Sequence, residues 1–149
     1  MIKRFELWIL ALFVFILSAL FVAACAGSSS PATSSQPAKV SVPGGSYTNV
    51  SATQLKAMLD KKDFTFVNVH IPYEGEIAKT DAFAPYDEIE KNLDRLPADK
   101  NAKIVLYCRS GRMSTLAAET LVRLGYTNVW SMEGGMIAWE TLGLPLKTK

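Results

Sequence analysis

The chain has 149 residues, 49% of them hydrophobic and 20% charged, and a formal net charge of +2. Lys3 and Arg4 alone bring two positive charges, so the rest of the chain is near balance. It offers no basic stripe along which a nucleic acid backbone could bind.

The first residues divide into a charged start, Lys3-Arg4, and an apolar run from Leu7 to Ala24 broken only by Ser18. That is the layout of a secretory signal. The run is long for a cleaved signal and nears the roughly 18–20 residues that span a bilayer, so an uncleaved transmembrane anchor is the competing reading. Val22-Ala23-Ala24-Cys25 resembles the lipobox of bacterial lipoproteins, which implies cleavage after residue 24 and lipid on Cys25. The small residues stand where a signal peptidase must reach the backbone, which favours the lipoprotein. Either reading places the domain on the extracytoplasmic side of a cell membrane, in the periplasm or at the cell surface. Residues 25–46 are rich in Ser, Ala, Thr, Pro and Gly, with Lys39 their one charge. They are expected to be a flexible tether, because they cannot bury enough apolar surface to order themselves. The folded domain is expected over residues 47–149, about 100 residues, enough for one core.

Ser51-Ala52-Thr53-Gln54 has the spacing of a capping box, and Leu55, Met58 and Leu59 follow at helical spacing, predicting a helix over 52–60. FTFVNV, residues 64–69, is rich in aromatic and β-branched residues and predicts a strand buried on both faces. Residues 71–85 hold Pro72, Gly75 and Pro85 without periodicity and read as a long functional loop. Ile89, Leu93 and Leu96 share a face of a helix predicted over 86–96, with acids early and Arg95 late. A buried strand is predicted over 104–107. Ser114 is the expected N-cap of the next helix, with Leu116, Ala117, Thr120, Leu121 and Leu124 on its apolar face and Gly125 closing it. Asn128 to Met132 is a third strand, and Gly134-Gly135 turns into a helix over 136–142. Strands alternating with helices over this length predict a small α/β domain with a mainly parallel sheet flanked by helices.

Cys108 stands between the second strand and its helix, at the carboxyl edge where open α/β sheets place ligands. With Cys25 lipidated, Cys108 has no disulfide partner, and one Cys with one His does not make a zinc site. Packing at a strand end remains the bland reading of such a thiol. The functional reading is stronger: Gly111 permits a tight turn whose amides, with the helix start, form an anion cradle, and Arg109 and Arg112 add positive charge at its mouth. A thiol there is placed to be a sulfur nucleophile.

Cys108-Arg109-Ser110-Gly111-Arg112-Met113-Ser114 resembles the active-site loop of the rhodanese family. So do Leu124-Gly125-Tyr126 and the block from Val129 to Trp139, with its Gly134-Gly135 turn and tryptophan-bearing helix. The resemblance covers roughly residues 47–146. It implies a single rhodanese-like domain, a sulfurtransferase in which Cys108 takes a sulfane sulfur as a persulfide. The loop from Arg109 to Ser114 then binds the substrate. A small anion such as thiosulfate or a polysulfide is the implied donor and a thiol or cyanide the implied acceptor. No cofactor and no metal is expected. The short loop resembles the sulfurtransferase type more than the longer phosphatase loops of related proteins.

Two stretches depart from the family pattern. Asn68-Val69-His70 stands where an Asp-x-Arg is common, and Gly75-Glu76-Ile77-Ala78-Lys79-Thr80 where Gly-His-Ile-Pro-Gly-Ala is usual. His70, the one histidine, could form a dyad with Cys108, although a local hydrogen bond at the loop entry is the preferred reading. Met136 and Trp139 are expected in the core at helical spacing. Glu76, Asp81, Asp87 and Glu88 match no ligand spacing and are expected on a solvated face. The alternative to catalysis is a rhodanese-like module that binds a partner protein or exchanges disulfides with it.

Overall fold

The computed structural model describes residues 36–148. The signal segment, Cys25 and the first half of the expected tether lie outside the described residues. Among the described residues, no helix is long and apolar enough to cross a membrane.

Ordered structure begins earlier than residue 47. Strands β1 (Ala38–Val42) and β2 (Gly45–Val50) pair antiparallel around the Pro43-Gly44 turn. Gly44 has φ +93°, which glycine adopts without steric cost. The expectation of a tether through residue 46 is corrected here. Val40 and Val42 alternate with polar residues and pack against the core, a period-2 signal hidden inside a Ser/Ala/Pro-rich composition.

The other strands are β3 (Thr65–Asn68), β4 (Ala82–Phe83), β5 (Ile104–Tyr107) and β6 (Val129–Met132). They form one six-stranded sheet in the order β1-β2-β6-β5-β3-β4, parallel except for the β1–β2 pair. Central β5 is buried at all four positions, as its apolar run predicts for a strand covered on both sides. In register it sets Leu106 opposite Val67 on β3 and Ser131 on β6.

Alternation along β5 divides two cores. Ile104, Leu106 and Cys108 join Val67, Ile89, Ala117, Leu121 and Val129 on one face. Val105 and Tyr107 join Leu55, Phe66, Met132, Met136 and Trp139 on the other. Helix α2 (Arg112–Arg123) covers the first face; α1 (Ala52–Asp60) and α3 (Gly135–Thr141) cover the second. The capping box of α1 is formed in both directions: the Gln54 amide donates to Ser51 Oγ at 3.3 Å, and the Ser51 amide to Gln54 Oε1 at 2.8 Å.

Residues Tyr86–Arg95 form not an α-helix but a kinked 3-10 segment, with non-helical dihedrals at Glu88 and Asn92. The Asn92 side-chain amide donates to the Glu88 carbonyl at 2.8 Å, the group an α-helical Asn92 N–H would use. Asp81 is likewise no idle surface acid. Its carboxylate accepts from the Phe66 amide at 2.7 Å and pairs with Lys62 at 2.6 Å, tying the long loop to β3.

Candidate active site

Cys108 directly follows β5, with 1% of its surface exposed. The chain turns through Arg109, Ser110 and Gly111 and enters α2 at Arg112. The cap of α2 is Gly111, with φ 96°, rather than Ser114. Ser114 is fully buried in the first helical turn, where its hydroxyl donates to the Gly111 carbonyl at 2.9 Å. The loop expected from Arg109 to Ser114 is thus three loop residues followed by a turn of helix. One amide of the loop reaches the sulfur: the Gly111 N–H donates to Cys108 Sγ at 3.1 Å. The thiol lies 3.8 Å from Ser114 Oγ, which also accepts from the Ser131 hydroxyl on β6 at 2.9 Å.

The loop's carbonyls are held from behind. The amides of Met136 and Ile137, in the first turn of α3, donate to the carbonyls of Cys108 at 2.9 Å and Arg109 at 3.0 Å. These bonds fix the Cys108–Arg109 and Arg109–Ser110 peptides, just ahead of the Gly111 N–H that reaches the sulfur. The approach needs Gly135, whose φ is +53° and where a Cβ would come within 2.2 Å of the Cys108 carbonyl oxygen. The sequence signal for this contact was the Gly134-Gly135 pair, read above only as a turn. Ser131 gave no signal, because its neighbours are fixed by strand register.

Cys108 forms the floor of a pocket of about 170 Å³, with His70, Tyr86, Met113 and Leu116 on its walls and Arg109, Ser110 and Arg112 at the loop side. Ser110 and Arg112 are exposed, and Met113 packs partly against the core. Every residue expected in the loop therefore gathers about this thiol. Arg109, expected to add positive charge at the mouth, is paired: its Nη1 lies 2.9 Å from Glu74 Oε2. His70 is buried, with Nδ1 3.3 Å from Met113 Sδ and Nε2 3.5 Å from the same Glu74 oxygen. It lines the pocket, yet its contacts are with Met113 and Glu74.

The altered stretches have structural work. Asn68 Oδ1 accepts from the His70 amide at 3.0 Å while its Nδ2 donates to the Gly75 carbonyl at 2.9 Å. An aspartate could not make the second bond. On the opposite face the Tyr107 hydroxyl accepts from the Ile77 amide at 3.0 Å and lies 2.8 Å from Thr80 Oγ1. Thr80 spends its own proton on the Ile77 carbonyl, so Tyr107 donates to Thr80. Burial pushes the Tyr107 phenol well above its usual range, and the neutral form holds the loop.

The rhodanese-like domain model matches residues 51–142. A tRNA uridine(34) hydroxylase from Erwinia tasmaniensis is 33% identical over 115 residues, 70% of this chain and 32% of that protein. The chain thus spans about a third of the length of the curated relatives it matches. Among solved structures, a rhodanese-related protein from Thermoplasma volcanium is 29% identical with a TM-score of 0.58, covering 68% of this chain and 98% of its own. A rhodanese-like domain protein from Staphylococcus aureus is also 29% identical, with a TM-score of 0.55 over 67% of this chain and 98% of its own. Motif, sheet order and these likenesses agree, and the chain belongs to the rhodanese-like domain family.

Proposed function

We propose that the domain is a sulfurtransferase in which Cys108 carries a sulfane sulfur as a persulfide and hands it to a thiol or cyanide. The observation that carries this reading is the Gly111 amide donating to Cys108 Sγ at 3.1 Å on the floor of a small open pocket. An amide aimed at sulfur stabilises an anion there, whether thiolate or persulfide. In the first half-reaction the thiolate attacks the outer sulfur of the donor, whose sulfur–sulfur bond breaks with the electron pair on the leaving group. In the second, the acceptor attacks the sulfane sulfur and Cys108 leaves as thiolate. Arg109 and Arg112 flank the entry of anionic donors. Protein disulfide exchange is the less favoured use, since a partner thiol would have to reach a sulfur only 1% exposed. From the tRNA-hydroxylating relatives we carry over the rhodanese-like domain alone.

With lipid on Cys25, the domain would work outside the cytoplasmic membrane, tethered to it. Intact mass after incubation with thiosulfate or polysulfide tests the chemistry. One added sulfur is expected on the wild type, lost on cyanide treatment, and none on Cys108→Ala. Equal addition on both proteins, or none on the wild type from any donor, would sink the proposal.

A further inference from the structure

The pocket over Cys108 carries less positive charge than its sequence suggests. Two arginines line it, but Glu74 pairs with Arg109 at 2.9 Å, and the same carboxylate oxygen lies 3.5 Å from His70 Nε2. Arg112 has no ion-pair partner among the described residues, and it is the one uncompensated cation at the mouth. The remaining walls are uncharged: an aromatic ring from Tyr86, a thioether from Met113 and an aliphatic side chain from Leu116. Such a site meets a dianion poorly. With Arg109 already paired to Glu74, a second negative charge entering it would find no cation of its own.

We propose that Glu74 is a specificity-determining residue, which by pairing with Arg109 turns the site away from dianionic donors such as thiosulfate and toward neutral or singly charged hydropersulfides with a compact apolar body. The proposal rests on the sulfurtransferase reading above and names its donor class. The step balances without an outside oxidant or reductant. The Cys108 thiolate attacks the terminal sulfur of R–S–S–H, and a new sulfur–sulfur bond forms. The donor's sulfur–sulfur bond breaks with its electron pair on R–S⁻, and the hydropersulfide proton passes to that thiolate. The products are R–S–H and the Cys108 persulfide anion, with one negative charge before and after. The alkyl group R meets Tyr86, Met113 and Leu116. A leaving sulfite from thiosulfate would instead be a dianion in a pocket whose Arg109 charge Glu74 already offsets.

The pair is partly exposed, with side-chain exposures of 47% for Arg109 and 39% for Glu74, so solvent and salt weaken its field. The discrimination is therefore a rate ratio rather than an absolute block. The test measures single-turnover sulfur loading of Cys108 by intact mass, with thiosulfate and with an alkyl hydropersulfide released in situ, on wild type, Glu74→Gln and Glu74→Asp. At low ionic strength Glu74→Gln is expected to raise the thiosulfate rate about tenfold while leaving the alkyl hydropersulfide within about twofold. Added salt should shrink the thiosulfate gain, and Glu74→Asp, which keeps the charge, should behave as wild type. Equal changes for both donors, or no change for thiosulfate, overturn the donor selectivity while leaving the sulfurtransferase intact. A wild type that loads sulfur from neither donor overturns the underlying function instead.

Discussion

Gly135 and the Cys108 carbonyl are so close that a single added Cβ would stand 2.2 Å from the oxygen, with the carbonyl carbon of Arg109 at 2.6 Å. No rotamer relieves this, because the neighbours are backbone atoms, and φ +53° is itself unfavourable for alanine. Gly135→Ala must therefore displace α3 from the loop and break the bonds from Met136 and Ile137. We expect a loss of about 3 kcal/mol or more in stability, by overpacking and strain together. Sulfur loading should fall at least about a hundredfold even where the protein remains folded, since two displaced carbonyls loosen the loop that aims the Gly111 amide at the sulfur. Urea denaturation and single-turnover loading check the two parts. A folded variant with wild-type loading would show that the α3 contact does not shape the site.

Ser114 and Ser131 form a buried pair behind the thiol, and their bonds are not equivalent. Ser131→Ala removes one donor to Ser114 Oγ and should cost about 1 kcal/mol. Ser114→Ala strands the Ser131 hydroxyl without its acceptor and takes a donor from the Gly111 carbonyl, so it should cost more, about 1–3 kcal/mol. The double variant should cost less than the sum, because neither partner is then left unsatisfied. Equal single costs that add would refute the directions assigned to these hydrogen bonds.

The β1–β2 hairpin separates two kinds of truncation. Removing residues 1–35 leaves every described strand in place, and the melting curve should not move. Removing residues 1–44 takes away β1, whose five residues pair from Ala38↔Asn49 to Val42↔Gly45, and with it the packing of Val40 and Val42. We expect about 2–3 kcal/mol of destabilisation from lost apolar burial, together with a greater tendency to associate through the bared edge of β2. Matching stabilities for the two truncations would show that β1 is dispensable to the domain.

What could be read from the chain divides by the range of the physics involved. The capping box at Ser51 and Gln54, the buried strands around Phe66 and Leu106, and the place of Cys108 between a strand and a helix are local patterns, and each is found where the pattern puts it. The helix expected over residues 86–96 failed because its hydrophobic spacing says nothing of Asn92 competing for a backbone carbonyl. Ser114 looked like a cap because serine favours caps. Its burial depends on Ser131, 17 positions away, and the left-handed turn at Gly111 had already done the capping. The Glu74–Arg109 pair joins residues 35 positions apart across two loops, and no periodicity could announce it. The family's altered stretch after Asn68 proved legible only in part: the departures could be seen, but not that Asn68 and Tyr107 hold the loop.

Tyr107 makes that hold sensitive to alkali, with a definite sign. Its hydroxyl must be neutral to donate to Thr80, and burial raises its pKa in the folded protein above the ordinary value of about 10. Below pH 10 both folded and unfolded chains keep the proton, and the stabilisation is fully present. Above it the unfolded chain releases a proton that the folded protein retains. Stability is then lost by about 1.4 kcal/mol per pH unit until the folded phenol also titrates. Tyr107→Phe should lower stability by about 1–3 kcal/mol at neutral pH, because the buried Ile77 amide loses its acceptor. The same variant removes the alkaline slope due to this phenol. The stability difference between wild type and Tyr107→Phe should therefore narrow steadily above pH 10, while other tyrosines and lysines cancel in the comparison. Urea denaturation at several pH values between 8 and 11 measures it. Parallel curves for the two proteins across that range would mean that the Tyr107 phenol titrates alike in the folded and unfolded chains.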